Sequence, residues 1–186
     1  GMNYLIFGAG AIGTYFGTSL LAAGDKVTFI DIEPVVKALK GQAIFVEVEG
    51  HLLQSDDFLI YSSVEEALDQ AQYDVAIFAL KSFDTKSAME GLKPWMDKLP
   101  PFLCLQNGVE NEDVLKTYLG PDRVIYGTVT TAIGKSGPGA IKVEKLRGVG
   151  VETNHPLSTK IINSFEKAGL KPIGYAQPSS MKWSKM

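Results

Sequence analysis

"YLIFGAGAIGTYFGTSLLAAG", residues 4–24, decides how the rest of the chain is read. Tyr4 to Phe7 form a short apolar run suited to a buried strand, and the stretch after Gly13 has helical character. Three glycines, Gly8, Gly10 and Gly13, stand where the strand gives way to the helix. Gly8 suits a tight turn out of the strand. Gly10 lets a ligand approach the backbone with no Cβ in the way, and Gly13 lets the helix pack close to the strand. A helix start presents unpaired N–H groups and a positive dipole end, which suits a pyrophosphate. The Gly8, Ala9, Gly10, Ala11, Ile12, Gly13 segment is therefore the expected phosphate cradle of a dinucleotide. A second strand, "KVTFI", ends at Asp31, eighteen residues beyond Gly13. An acid there can accept a hydrogen bond from a ribose hydroxyl. Asp31 can also be read as a helix N-cap, because Pro34 follows and a helix begins there.

Outward from this unit, short apolar runs alternate with helical patterns. "EPVVKALK" reads as a helix, "AIFVEVEGHLL" as two strands around Gly50, and "SVEEALDQA" as a helix capped by Ser63. "YDVAIFAL" and "PFLCLQ" read as strands. "FDTKSAMEGLKPWM", with a break near Pro94, and "NEDVLKTYL" read as helices. This alternation predicts an α/β fold, a doubly wound parallel sheet with helices on both faces. After about residue 122 the pattern shifts. "RVIYGTVTTAI" and "AIKVEKL" flank the turn-rich "GKSGPG" and read as a small antiparallel extension. "HPLSTKIINSFEKAGL" is a further helix and "KPIGYA" a short strand.

The 186 residues carry a net charge of -3, with 45% hydrophobic and 21% charged residues, the balance of an ordinary globular protein. No basic stripe suggests a nucleic-acid partner. No apolar run reaches the roughly 18 residues of a membrane span, so no membrane partner is expected. No signal peptide opens the chain, and the cytoplasm is the expected location. The single cysteine, Cys104, lies in an apolar run and reads as a buried thiol. His51 and His155 have no carboxylate or second histidine at ligand spacing, so no metal site is expected.

Three further motifs carry more information than the glycines. "AIFALKSFDT" places Lys81 after a strand, "CLQNGVENED" places Asn107 after the next, and "MKWSKM" places Lys185 near the chain end. Taken singly, Lys81 reads as a solvated charge, Asn107 as half of a common turn pair, and Lys185 as one lysine among many near a terminus. Taken together with "GAGAIGTYFG" and "GTVTTAIGKSGPGAIKVE", they resemble the 2-dehydropantoate 2-reductase family, the ketopantoate reductases. The resemblance covers essentially the whole chain.

The resemblance implies a Rossmann domain over residues 2–177 that binds NADP(H), and first turns of a helical domain over 178–186. It implies hydride transfer to the C2 ketone of 2-dehydropantoate, giving (R)-pantoate on the route to pantothenate. By motif, Lys81 and Asn107 line the nicotinamide end, and Lys185 is the catalytic lysine that acts on the substrate carbonyl. An ammonium beside a ketone that is gaining charge both stabilises the alkoxide and donates a proton. Two features depart from the family. "FIDIEP" offers Asp31 where many members place a basic residue for a 2′-phosphate, so NAD(H) stands beside NADP(H). The chain also stops one residue after Lys185. The family's C-terminal helical domain is therefore expected to be absent, the chain alone to be inactive, and an uncovered apolar face to drive self-association as a homodimer. Reduction of another 2-keto acid, and a nucleotide-sensing Rossmann module without catalysis, remain the alternative functions.

Overall fold

The computed structural model describes residues 1–79, 85–105, 109–129, 131–145 and 147–176. Eight strands form the main sheet: β1 (Asn3–Phe7), β2 (Lys26–Ile30), β5 (Leu59–Tyr61), β6 (Val75–Phe78), β7 (Phe102–Cys104), β8 (Val124–Val129), β11 (Val149–Glu152) and β12 (Pro172–Tyr175). Their spatial order is β12-β11-β8-β7-β6-β1-β2-β5. From β5 to β8 every neighbouring pair is parallel; β11 then runs antiparallel to β8, and β12 parallel to β11. Four more strands, β3 (Ile44–Val48), β4 (His51–Ser55), β9 (Ala132–Gly137) and β10 (Ala140–Lys145), make a second sheet in the order β4-β3-β10-β9. Helices α1 (Ala11–Ala22), α2 (Glu33–Leu39), α3 (Val64–Gln70), α4 (Thr85–Leu92), α5 (Val109–Leu119) and α6 (Ser158–Lys167), with 3₁₀ helices at Lys93–Lys98 and Pro121–Arg123, complete the described elements.

The expected doubly wound sheet is present, and its strands are apolar because both faces are covered. Alternation along β1 divides the core. Tyr4 and Ile6 join Phe16, Leu20, Phe29 and Phe165 on one face; Leu5 and Phe7 join Met89, Phe102 and Leu115 on the other. The first face carries α1 and α6, and the second carries α3, α4 and α5. The second sheet covers α1 from outside through Ile44, Val46, Ile141 and Val143. Its β3–β4 hairpin closes on Glu49 and Gly50, both at positive φ, the requirement of a two-residue turn that follows the strand twist. Burial, and then the Glu49 carboxylate, push the Tyr15 hydroxyl up to about 12.

The small extension differs from the sequence reading in one respect. "RVIYGTVTTAI" is two strands in two sheets: β8 pairs with β7 in the main sheet, and β9 pairs antiparallel with β10. β10 in turn pairs parallel with β3, so the second sheet joins two hairpins. An apolar run of that length is indistinguishable by pattern from a single long strand. The expected turn contracts to Pro138 and Gly139. β5 and β11 carry too few residues for a pattern to announce them. The boundary expected at residue 178 lies outside the described residues.

A buried polar relay locks α6 to the sheet. The Tyr4 hydroxyl donates to Ser164 Oγ at 2.7 Å, Ser164 donates to Asp25 Oδ2 at 2.9 Å, and Asp25 Oδ1 accepts the Met2 N–H at 2.8 Å. Burial raises the Tyr4 hydroxyl pKa well above its usual value. Ser164→Ala should cost about 1–3 kcal/mol, because it strands a buried hydroxyl, while Tyr4→Phe with Ser164→Ala should cost less than the sum of the single changes. Urea unfolding of the three variants measures this.

Candidate functional site

The site begins where β1 stops. Gly8 turns the chain at φ 106°, a left-handed conformation that glycine adopts without strain, and its N–H donates to the Ile30 carbonyl at 2.8 Å. On the other side, Ala79 N–H donates to the Phe7 carbonyl at 2.9 Å, so the end of β1 is held between β2 and β6. Thr14, in the first turn of α1, reaches back: its Oγ1 donates to the Ala9 carbonyl at 3.1 Å and its N–H to the Gly10 carbonyl at 2.9 Å.

The three glycines have separable physical reasons. A Cβ on Gly13 would lie 1.8 Å from the Gly8 carbonyl oxygen and 3.3 Å from Ile6 Cγ2, so helix and strand meet there with no room for a side chain. Gly17 repeats the device one turn on, where a Cβ would lie 2.4 Å from Phe29 Cζ. Gly10 is different: a Cβ there would meet nothing within 4 Å. The packing of the fold makes no demand on Gly10. Gly10 is also the N-cap of α1 and brings no side chain to the amides of the first turn, and that turn holds no acid. Those amides have no intrahelical acceptor, and with the dipole they form a cradle suited to an anion.

Asp31 stands beside the cradle. Its Oδ2 accepts the Ala9 N–H at 2.7 Å and its Oδ1 the Ile32 N–H at 2.7 Å, while its own N–H donates to the Tyr61 carbonyl at 3.2 Å. The N-cap of α2 is Ile32, so Asp31 is not the cap. It is a strut between the end of β2 and the glycine loop. Among the described residues no lysine or arginine pairs with it. Gly8, Ala9, Gly10, Ala11, Ile12, Gly13 and Asp31 are thus gathered at one place. Lys81, Asn107 and Lys185 lie outside the described residues. β6 and β7, which precede the first two, end at Phe78 and Cys104 at the same edge of the sheet as the loop. Beyond β1 the connections change face, α1 on one side and α4 on the other, and such a switch point opens the crevice in which doubly wound sheets bind ligands.

Past Asp31 the crevice continues into a cavity of about 390 Å³ between the end of β2, the start of α3 and the flank of α4. Ile30 and Ile32 border it on one side, Ser63 and Val64 on another, and Gly91 and Trp95 on the third. No motif pointed to it; the available signal was the glycine in "MEGLKPWM", which costs helix stability without an evident local gain. Two further cavities, of about 400 and 370 Å³, lie at the opposite edge of the sheet, around Tyr73 and Leu99 and around Asp122 and His155. His155 is structural: its Nδ1 accepts the Leu157 N–H at 3.0 Å and its Nε2 meets the Asp122 carbonyl at 2.6 Å. Among the described residues no group of three metal-ligating side chains occurs, and Cys104 is buried.

The family model described as ketopantoate reductase PanE/ApbA matches residues 4–153. A 2-dehydropantoate 2-reductase of Lactococcus lactis subsp. lactis (strain IL1403) is 31% identical over 146 residues, covering 76% of this chain and 45% of that protein. The crystal structure of a PanE/ApbA family ketopantoate reductase from Ralstonia eutropha JMP134 is 28% identical, with a TM-score of 0.81 over 99% of this chain and 60% of that one. The ternary structure of D-mandelate dehydrogenase with NADH and anilino(oxo)acetate has the same fold, with a TM-score of 0.77 at 24% identity, covering 94% of this chain and 57% of that one. The chain spans about half the length of the curated relatives it matches.

The two kinds of glycine should separate on mutation. Gly13→Ala should lose about 1–3 kcal/mol or more, because its Cβ meets a backbone carbonyl that cannot yield cheaply. Gly10→Ala should stay within about 1 kcal/mol of the parent. Chemical unfolding of both variants is the measurement.

Proposed function

The chain belongs to the ketopantoate reductase PanE/ApbA family, and from that premise we propose that it is the dinucleotide-binding part of a 2-dehydropantoate 2-reductase-like oxidoreductase. The observation that carries this reading is Gly10: a helix N-cap with bare backbone, no packing reason for its bareness, and open amides behind it. On this reading residues 8–13 hold the pyrophosphate and Asp31 the adjoining ribose. When bound, the reduced nicotinamide supplies the hydride that the ketone receives.

The chain's own residues supply the rest. Lys81 and Asn107 follow strands that end at the cradle edge, and are proposed to line the nicotinamide end. An asparagine there has both donor and acceptor to hold a ribose hydroxyl and a substrate oxygen. Lys185 is proposed to bring its ammonium to the ketone oxygen, where it stabilises the developing negative charge and gives up a proton to form the alcohol. Residues 2–177 make up the proposed binding domain. Residues 178–186 would begin the unit that completes the substrate site. The proposed substrate is 2-dehydropantoate.

Asp31 favours NAD(H) over NADP(H). A 2′-phosphate would be brought against a carboxylate that is fixed by two amides and has no cation beside it among the described residues. Lys37 is in the last turn of α2, at the end away from Asp31. Titration should therefore show NADH binding at least tenfold more tightly than NADPH, about 1.4 kcal/mol. A preference for NADPH would overturn the assignment of Asp31. Gly10→Val should weaken NADH at least tenfold with the fold retained by circular dichroism, and unchanged affinity would remove the glycine loop as the phosphate site.

A further inference from the structure

The second sheet ends on β4, an edge that no other described strand covers. We infer that β4 pairs antiparallel with β4 of a second copy of this chain, across a two-fold axis at Leu53. The hairpin turn fixes which backbone groups are available. Glu49 and Gly50 form the two-residue turn between β3 and β4, so the His51 N–H closes on the Val48 carbonyl and Val48–His51 is a hydrogen-bonded pair. Such pairs alternate along an antiparallel ladder. Val46–Leu53 and Ile44–Ser55 are therefore the next ones. Leu52 and Gln54, opposite Glu47 and Phe45, turn their N–H and C=O groups away from β3.

These outward groups match themselves. Pairing about Leu53 sets Leu52 opposite the partner's Gln54 and Gln54 opposite the partner's Leu52. Each pair exchanges both of its N–H···O bonds, so four main-chain hydrogen bonds form and the outward groups of both residues are all used. A shift of one residue turns the bonding groups out of register, and a shift of two sets Leu52 or Gln54 against Gly50 or Asp56, beyond the ends of the strand. The side chains agree. Leu52 is 61% exposed, and the two-fold pairing makes the two Leu52 side chains diagonal neighbours within reach of each other. The strand, HLLQS, carries no acid, lysine, arginine or proline, and Glu47, opposite Leu52, is already held by Lys142 at 3.5 Å. Edge strands are normally kept apart by charge, proline, bulges or shortness. The other described edges have such protection: β5 has three residues, β12 opens on Pro172, and β9 breaks register against β10. β4 has five residues in unbroken register with β3. A second copy brings this same edge already extended, whereas a free peptide strand would first have to be ordered.

The test uses the 186-residue chain, with mass read by light scattering and sedimentation over a concentration series. The parent should reach a dimer and stop there, because a two-fold contact between identical patches closes on itself. Gln54→Pro removes an outward N–H that the pairing with β3 does not use, and should weaken dimerisation at least tenfold with the fold retained by circular dichroism. Gln54→Thr keeps that N–H and should dimerise within threefold of the parent. Leu53 faces its own copy in a non-hydrogen-bonded pair, with Cα atoms about 4.5 Å apart, inside the range a disulfide spans. Leu53→Cys should therefore give a covalent dimer on oxidation, and Phe45→Cys, on β3 and away from the axis, should not. A parent that stays monomeric at its highest soluble concentration overturns the proposal, as does one that grows past the dimer. A folded Gln54→Pro variant that dimerises as the parent does, or a Leu53→Cys variant that forms no crosslink, also overturns it. Should Gln54→Pro fail to fold, the Leu53→Cys crosslink decides.

Discussion

The carbonyl oxygen of Gly8 occupies the place where a side chain on residue 13 would begin, 1.8 Å from the position of its Cβ. This close approach fixes how far α1 stands from β1, and most of the structure follows from that spacing. With α1 drawn in, Thr14 can reach the carbonyls of Ala9 and Gly10, and the loop between strand and helix has one conformation. The same tight seam continues at Gly17, against Phe29 of β2. A larger residue at either position would lift the helix, break the Thr14 bonds, and release the loop whose amides face the crevice. The glycines of the motif therefore divide their work between building a rigid seam and leaving space above it.

Rigidity on one side of the sheet is matched by cover on the other side of α1. The second sheet lays Ile44, Val46, Ile141 and Val143 over the helix, so α1 is buried between two sheets along most of its length. That accounts for its low polarity: residues 13–20 are all buried, including Thr14, Thr18 and Ser19. A helix apolar on nearly all sides is an interior element. The loop at its N-terminus is consequently pre-organised, and on the proposed reading a ligand need not spend binding energy to order it.

The glycine loop and the parallel sheet were legible in the sequence because both rest on local signals. Gly8, Gly10 and Gly13 have fixed spacing, Asp31 ends a strand at a readable distance, and the central strands are continuous apolar runs. The second sheet was only half legible. That β8 and β9 belong to different sheets depends on a break between Val129 and Ala132, and the neighbouring residues are as β-prone as the strands themselves. The parallel pairing of β10 with β3 joins segments almost a hundred residues apart, and no local pattern encodes it. The role of Asp31 as a strut was hidden for a similar reason: it requires knowing that Ala9 N–H faces the end of β2. The cavity flanked by Gly91 and Trp95 was hidden because it is a space between three elements, and its walls read in sequence as ordinary core and helix surface.

On the proposed reading, Asp31 links cofactor choice to loop structure, because the carboxylate that would meet the ribose also supports the loop. A carboxylate has about four acceptor positions. Two are taken by the N–H groups of Ala9 and Ile32, one through each oxygen. The remaining acceptor capacity faces the crevice on the proposed reading, and ribose hydroxyls are donors that can use it. A 2′-phosphate brings only further acceptors and negative charge, so it would need donors in that place. Exchanging Asp31 for a basic residue would supply them but would also leave the Ala9 N–H without its partner, in a residue that is 3% exposed. An unpaired buried amide costs about 1–3 kcal/mol, comparable to the gain expected from one charge-assisted phosphate contact. On the proposed reading the preference for NAD(H) is built into the support of the loop, and reversing it requires a second acceptor for Ala9 as well as a cation for the phosphate.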